Sequence, residues 1–273
     1  MTCKRQQRGM RQNAKRSLAS IVPAAVFDLD VSVRQSFANN PNRIIRNLVP
    51  NPADGSARSA YDFDLGIGGT SAPDFNNVLP GSPNASLRFD GGDYLQIRGG
   101  NTAFVNAMHD TTDQQDFTLA MALLYTDATD MFFASRLAGG AANEGFIFYT
   151  LTGNDLPYFT HRGTSVSSTA NGTTRALREN DVNFVAMAYD HTAAEVTFWV
   201  NSSVGETVAR SIGTVTADAS GDFTIGAYAD GSTAMANGES LYAAGCFNKV
   251  LSDAEMKAVI KEYERRHKRR YLL

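Results

Sequence analysis

Apolar and polar positions alternate with a period of two along most of this chain, and a helical period replaces it only near the C-terminal end. The stretches 26–31 and 43–49 read as strands on either side of the turn cluster Asn39-Asn40-Pro41-Asn42. From Tyr61 to Leu65 aromatic or apolar residues alternate with acids, the pattern of a half-buried strand. Residues 66–85 are rich in glycine, proline and asparagine and read as a long surface loop. Ser86–Asp90 and Asp93–Ile97 flank Gly91-Gly92, which predicts two strands joined by a tight turn. One short helical turn is expected between Asn101 and His109. Further strands are expected over 116–125, 131–136, 145–151, 157–162, 182–189, 195–200, 222–226 and 240–247. Turns fall at 152–155 and 190–194. Alternation puts Phe117, Leu119, Met121 and Leu123 on one face, and sets Phe146 and Phe148 opposite Ile147 and Tyr149.

The period changes after Leu251. Ser252 fits a helix N-cap and Glu255 completes a capping box. Met256, Val259, Ile260 and Tyr263 then recur at helical spacing, so one face packs down. The basic run from Arg265 to Arg270 suits the negative end of that helix. About a dozen short strands and one closing helix place the chain in the all-β class, as a β-sandwich. The expected organisation is a basic N-terminal arm (1–23), strands and a loop leading into the sandwich (24–85), the sandwich proper (86–251), and a C-terminal helix with a basic tail (252–273). A small separate lobe built from the first strands is the alternative.

Composition narrows the class. Of 273 residues 43% are hydrophobic and 19% charged, which supplies one sizeable core and excludes a wholly disordered chain. Two cysteines, Cys3 and Cys246, exclude a disulfide-rich scaffold and a four-cysteine zinc site. No apolar run is long enough for membrane insertion to be expected. The stretch 18–27 is short and interrupted by Pro23, so it reads as part of the arm rather than as a secretory signal.

The net charge of −3 conceals an asymmetry. Lys4, Arg5, Arg8, Arg11, Lys15 and Arg16 stand among the first 16 residues with no acid. Residues 249–273 carry +4, and the body between carries −13 with no lysine at all. Basic ends on an acidic body predict attachment to a partner, and the arm is expected to order only against one. The body's charge opposes broad contact with nucleic acid.

Four segments in this order resemble the laminin-G-like, concanavalin A-like jelly-roll family. They are 86–97; 116–123; 183–190 with 196–201; and 223–226 through to 248–255. The stretch Arg46–Gly66 resembles N-terminal segments joined to such domains in tailed-bacteriophage structural proteins. The resemblance implies a jelly-roll β-sandwich in a non-enzymatic virion component: a fibre, decoration or tail-associated protein displaying an adhesion domain. It would be held to other virion proteins through the basic ends, in a class often trimeric. One rival reading is a carbohydrate-binding module for cell-surface glycans; another is a polysaccharide-cleaving enzyme on the same fold.

Candidate chemistry is sparse. No strand carries the run of acids that a glycan-cleaving sandwich needs, so no enzyme is expected. Asp28/Asp30 and Asp62/Asp64 each share a strand face and read as solvated faces. The four histidines have no metal-binding spacing, no nucleophile elbow is present, and a body without lysine holds no phosphate-binding loop. Relatives by resemblance hold calcium at a sandwich rim, and Asp90 and Asp93 beside Gly91-Gly92 are the candidates here, with ordinary turn residues as the other reading. Tyr149, Tyr158 and His161 are the candidates for stacking on and bonding a sugar. Finally, 16 Phe and 10 Tyr exceed what one sandwich obviously needs, and the strands at 131–133 and 146–149 are apolar on both faces. A homotrimer covering the 131–149 region is therefore expected.

Overall fold

Alternation resolves into antiparallel strands in two stacked sheets. The structure is a computed structural model that describes residues 16–37, 44–65, 74–75, 81–109, 115–126, 129–135, 144–163, 167–210 and 222–272. Strands β1 (Ala25–Asp30), β2 (Ile44–Ile45), β3 (Phe63–Leu65), β4 (Asp74–Phe75), β5 (Leu87–Arg88) and β6 (Leu95–Ile97) precede helix α1 (Thr102–His109). Strands β7 (Phe117–Tyr125), β8 (Met131–Ser135), β9 (Gly145–Leu151), β10 (Asn154–Arg162) and β11 (Ser167–Asn171) follow. Then come β12 (Asp181–Asp190), β13 (Glu195–Val200), β14 (Glu206–Ala209), β15 (Phe223–Ile225), β16 (Ser240–Phe247) and helix α2 (Asp253–His267).

The first sheet runs β14-β13-β12-β7-β16-β5-β4, with β1 lying beside β5 on the same edge of β16. The second runs β11-β10-β9-β8-β15-β6-β3-β2. The result is a jelly-roll-like β-sandwich with one short C-terminal helix, the class that alternation and the closing helical period predict. β1 belongs to the first sheet, and β2 and β3 extend the second.

One local expectation is corrected. The strands on either side of Gly91-Gly92 do not form a hairpin: β5 pairs with β16 in the first sheet, and β6 with β15 in the second. The two glycines sit where the chain crosses between sheets, and Gly91 takes a positive φ of 96° that a side chain would resist. A hairpin and a crossing both need a tight reversal, so the local signal is the same for each.

The aromatic surplus is consumed inside one chain. Phe132, Phe133, Phe146 and Phe148 are all fully buried between the sheets. A bulge in β8 between Met131 and Phe133 turns two consecutive phenylalanines inward. These side chains, on which the expectation of a trimer rested, thus need no second subunit to cover them.

Helix α2 covers the outer face of the first sheet. Ala120, Ala122, Ala186, Ala188 and Ala243 make that face shallow, and Met256, Val259, Ile260 and Tyr263 land on it. A Cβ at Gly245 would stand 3.1 Å from Tyr263 Oη, so the strand needs a glycine for the helix to come this close. The capping box forms as expected: Glu255 N–H donates to Ser252 Oγ at 3.3 Å and Ser252 N–H to Glu255 Oε2 at 3.0 Å. Trp199 Nε1–H ties the first turn to β13 through Asp253 Oδ1 at 2.9 Å.

Under the last turn lies a buried charge cluster, and it corrects the reading of Asp28 and Asp30 as solvated. Both are fully buried beneath α2. Arg266, also buried, donates from Nη1 to Asp28 Oδ1 (2.9 Å) and Asp30 Oδ2 (3.0 Å) and from Nη2 to Asp28 Oδ2 (2.9 Å). Its Nε bonds Glu262 Oε1 at 2.9 Å, and Nη2 also reaches the carbonyl of Arg16. His267 Nε2 stands 3.3 Å from Asp30. Alternation placed the two acids on one face correctly; what covers that face arrives from more than 200 residues downstream.

Candidate functional site

With α2 on the first sheet, no helix among the described residues lies across the outer face of the second, yet much of that face is covered: Met131, Ala134, Ile147, Thr160 and Thr224 are buried. Register fixes what it displays. One row crosses four strands as Asn171, Tyr158, Tyr149 and Met131. The next crosses all eight as Thr169, Thr160, Ile147, Ala134, Thr224, Gln96, Asp64 and Ile44.

Tyr149 and Tyr158 are direct cross-strand neighbours with ring centroids 5.4 Å apart and planes 32° apart. Both are half-buried. Their hydroxyls are oriented by the sheet. Tyr149 Oη lies 3.1 Å from Thr160 Oγ1, which lies 2.9 Å from Thr169 Oγ1. Asn154 Nδ2 donates to Tyr158 Oη at 2.5 Å. Tyr228, from the loop after β15, packs with Tyr149 against Met131, Ala134 and Ile147. Leu151 continues the face at its edge and is 38% exposed, one of two large apolar side chains so exposed among the described residues. The accessible part of this face therefore offers two half-buried tyrosines, the Thr169 hydroxyl and a little apolar area, with Thr160 buried behind them.

Two of the three expected sugar-binding residues come together here and the third does not. His161 is three positions from Tyr158, an odd offset in a strand, so it faces the core. Its register partner is Phe146, its ring lies 5.7 Å from that of His109, and it is fully buried. Neither ring nitrogen finds a hydrogen-bond partner among the described residues, and burial pulls its pKa down to about 4.

This histidine makes stability depend on pH. The unfolded side chain takes up a proton near 6.5, whereas the folded one resists until about 4. Above 6.5 both states are neutral and nothing is lost. Between these values the unfolded state binds more protons, so stability falls as pH falls, by about 3 kcal/mol across the window. In thermal melts the Tm of the parent should fall relative to that of His161→Phe as pH drops from 7 to 4. Parallel curves from pH 7 to 4 would show that His161 protonates without cost.

Asp90 and Asp93 serve their own turn. Asp90 is exposed and its Oδ1 accepts from Gly92 N–H at 3.3 Å; Asp93 is buried and its Oδ2 accepts from Asp90 N–H at 3.3 Å. Among the described residues no three His, Cys, Asp or Glu side chains converge as metal ligands do. Lys4, Arg5, Arg8, Arg11 and Lys15 lie outside the described residues. Arg16 is exposed, and its carbonyl is held by Arg266.

A concavity of about 220 Å³ opens between α1 and the β1–β16 edge. Phe104, Met108, Phe117 and Cys246 line it, with Asp54 and Asp116 among its polar groups. Burial holds the Cys246 thiol well above its ordinary range, so it is no nucleophile. Asp54 accepts from Ser56 and Tyr61, and Asp116 from His191 N–H at 2.9 Å. These acids are committed to holding loops.

No family model matches the chain, and no curated protein does. Among solved structures, the binding domain of botulinum neurotoxin DC in complex with rat synaptotagmin II aligns with 89% of this chain and 52% of its own, at 12% identity and a TM-score of 0.55. A botulinum neurotoxin type C structure, concerned with cell entry through two ganglioside molecules, aligns with 90% and 53%, at 9% identity and a TM-score of 0.57. The Ruminococcus gnavus IT-sialidase CBM40 aligns with 64% of this chain and 95% of its own, at 18% identity and a TM-score of 0.49. The chain spans about half the length of the toxin structures it matches. At these identities the likeness shows the fold.

Proposed function

We propose that the protein is a non-catalytic glycan-binding module whose binding surface is the accessible patch of the second sheet's outer face around Tyr149 and Tyr158. The observation that carries this reading is the tyrosine pair, 5.4 Å apart, half-exposed and flanked by the Thr160–Thr169 hydroxyls. A sugar ring has an apolar C–H face and a rim of hydroxyls. An aromatic face beside ordered hydroxyls answers both, and because the groups sit on adjacent paired strands little is lost in ordering them. The type C toxin structure, of which this chain spans about half, is that of a protein whose cell entry depends on interaction with two ganglioside molecules. The reading holds wherever the domain is displayed, on a virion, as the sequence resemblance implies, or elsewhere.

A glycan array followed by calorimetry with the best-bound sugar tests it. Tyr158→Ala and Tyr149→Ala should each weaken binding by about tenfold or more, a loss of ~1.4 kcal/mol, while the fold persists. Retention of full affinity in both variants, or an array with no bound glycan, would remove this face as the site.

A further inference from the structure

The two basic ends of the chain meet at one corner of the sandwich. Arg16, where the described residues begin, gives its carbonyl to Arg266 Nη2 under the last turn of α2. Leu18 N–H donates to Asp28 Oδ2 at 2.9 Å and holds this segment beside the helix end. The run past the helix is tied down as well. Lys268 is the C-cap, with a positive φ of 51°, and Arg269 N–H donates to the Glu264 carbonyl at 3.2 Å. Tyr271 is buried, its N–H donates to Glu264 Oε1 at 2.9 Å, and its hydroxyl lies 2.6 Å from His267 Nδ1. Residues 268–270 are therefore a held turn. Glycine takes the left-handed cap position with less strain, and the chain places a charge there instead.

The charge of this corner is uncompensated. Arg16, Lys268 and Arg270 are exposed, and Arg269 lies over the Tyr242 ring, 5.3 Å from its centroid. None of these four cations forms an ion pair among the described residues. The acids beside them are already engaged: Asp28 and Asp30 by Arg266, Glu262 by Arg265 and Arg266, and Glu264 by Lys261 and the Tyr271 N–H. Five more cations and no acid stand among residues 1–15, directly before Arg16. The first 16 residues hold two methionines as their only large apolar side chains and no aromatic one, so a lipid interface or a protein hot spot finds little to bury. Affinity here has to come from charge and from guanidinium and amide hydrogen bonds, and a chain of phosphates takes up both. The acidic body opposes contact along its length, but contact confined to one corner does not require the body to lie on the partner.

We propose that this corner is a phosphate-backbone site and that its partner is nucleic acid, bound without regard to sequence. It lies with α2 on the first sheet, whereas the tyrosine patch is on the outer face of the second, and it does not depend on the glycan reading.

Fluorescence anisotropy of the full chain with a labelled DNA duplex of about 20 base pairs, read from about 50 to 200 mM salt, tests it. The duplex should bind, with log K falling against log salt at a slope between about −4 and −8. Lys268→Gln combined with Arg270→Gln, both exposed and clear of the Arg266 cluster, should make the slope shallower by about 2. Deletion of residues 1–15 should make it shallower by up to about 5. Each change should weaken binding by about tenfold or more at about 100 mM salt with the fold intact by circular dichroism, whereas Tyr158→Ala should bind the duplex as the parent does. The proposal is overturned if the full chain does not bind the duplex at about 50 mM salt, if either change leaves the slope as it was, or if poly-L-glutamate or phosphatidylserine vesicles are bound more tightly than the duplex.

Discussion

Arg266→Ala should destabilise the protein by about 3–5 kcal/mol and lower its Tm by about 10 °C. The size comes from what is left behind. Asp28 and Asp30 are fully buried on one face of β1, and the guanidinium supplies both with charge-assisted bonds of 2.9–3.0 Å. Removing it strands two carboxylates in a low-dielectric layer, and also frees the Arg16 carbonyl and Glu262. Arg266→Lys should fall in between, because an ammonium cannot span three carboxylates and a carbonyl in one plane. The triple variant Asp28→Asn, Asp30→Asn, Arg266→Met should regain much of the loss, since no buried charge then lacks a partner. Urea unfolding of the three proteins decides it. A loss below about 1 kcal/mol for Arg266→Ala would mean that water replaces the guanidinium.

Phe223→Ala should cost about 3–5 kcal/mol as well, for a different reason. Strand β15 has only three residues, yet it joins β8 to β6 in the middle of the second sheet. Its hold comes from Phe223, whose ring meets those of Phe27, Phe63, Phe104, Phe133 and Phe146 at centroid distances of 5.3–6.4 Å. Alanine leaves a ring-sized void touching both sheets and α1, and rings fixed in edge-on contact collapse into it poorly. Phe223→Leu should cost clearly less, because it keeps most of the volume. Equal losses for the two variants, measured by denaturant midpoints at constant slope, would show that the cost is not one of cavity.

Legibility in the sequence tracked distance along the chain. The long strands, the α2 cap and its packing face follow from side-chain period and cap chemistry, which act within a few residues. The alternation that put Tyr149 opposite Phe148 likewise held, and the same alternation places Tyr158 with Thr160 and sends His161 inward. That last step was available from parity alone. The turn signal at 152–155 predicts a hairpin in which Tyr149 faces Tyr158, as the register shows, but nothing local shows that Thr160 and Thr169 lie beside them. Tyr228 comes from an irregular loop with no period to read. The two basic ends read as separate segments, and only the folded chain brings them to one corner. The surplus of phenylalanine was counted correctly but assigned to a subunit interface, because a bulge that turns Phe132 and Phe133 to the same side leaves no mark in the alternation.

The clamp on β1 also sets an order of events during synthesis. β1 leaves the ribosome well before its partner β16 and the cation that neutralises its acids, with Arg266 lying 238 positions after Asp28. Until then β1 is an unpaired edge carrying two acids in a chain of high contact order, a state in which folding is slow and association between chains competes. Those same two charges repel a second copy of the strand. The feature that makes the finished sandwich depend on one arginine thus guards its unfinished form against pairing with itself.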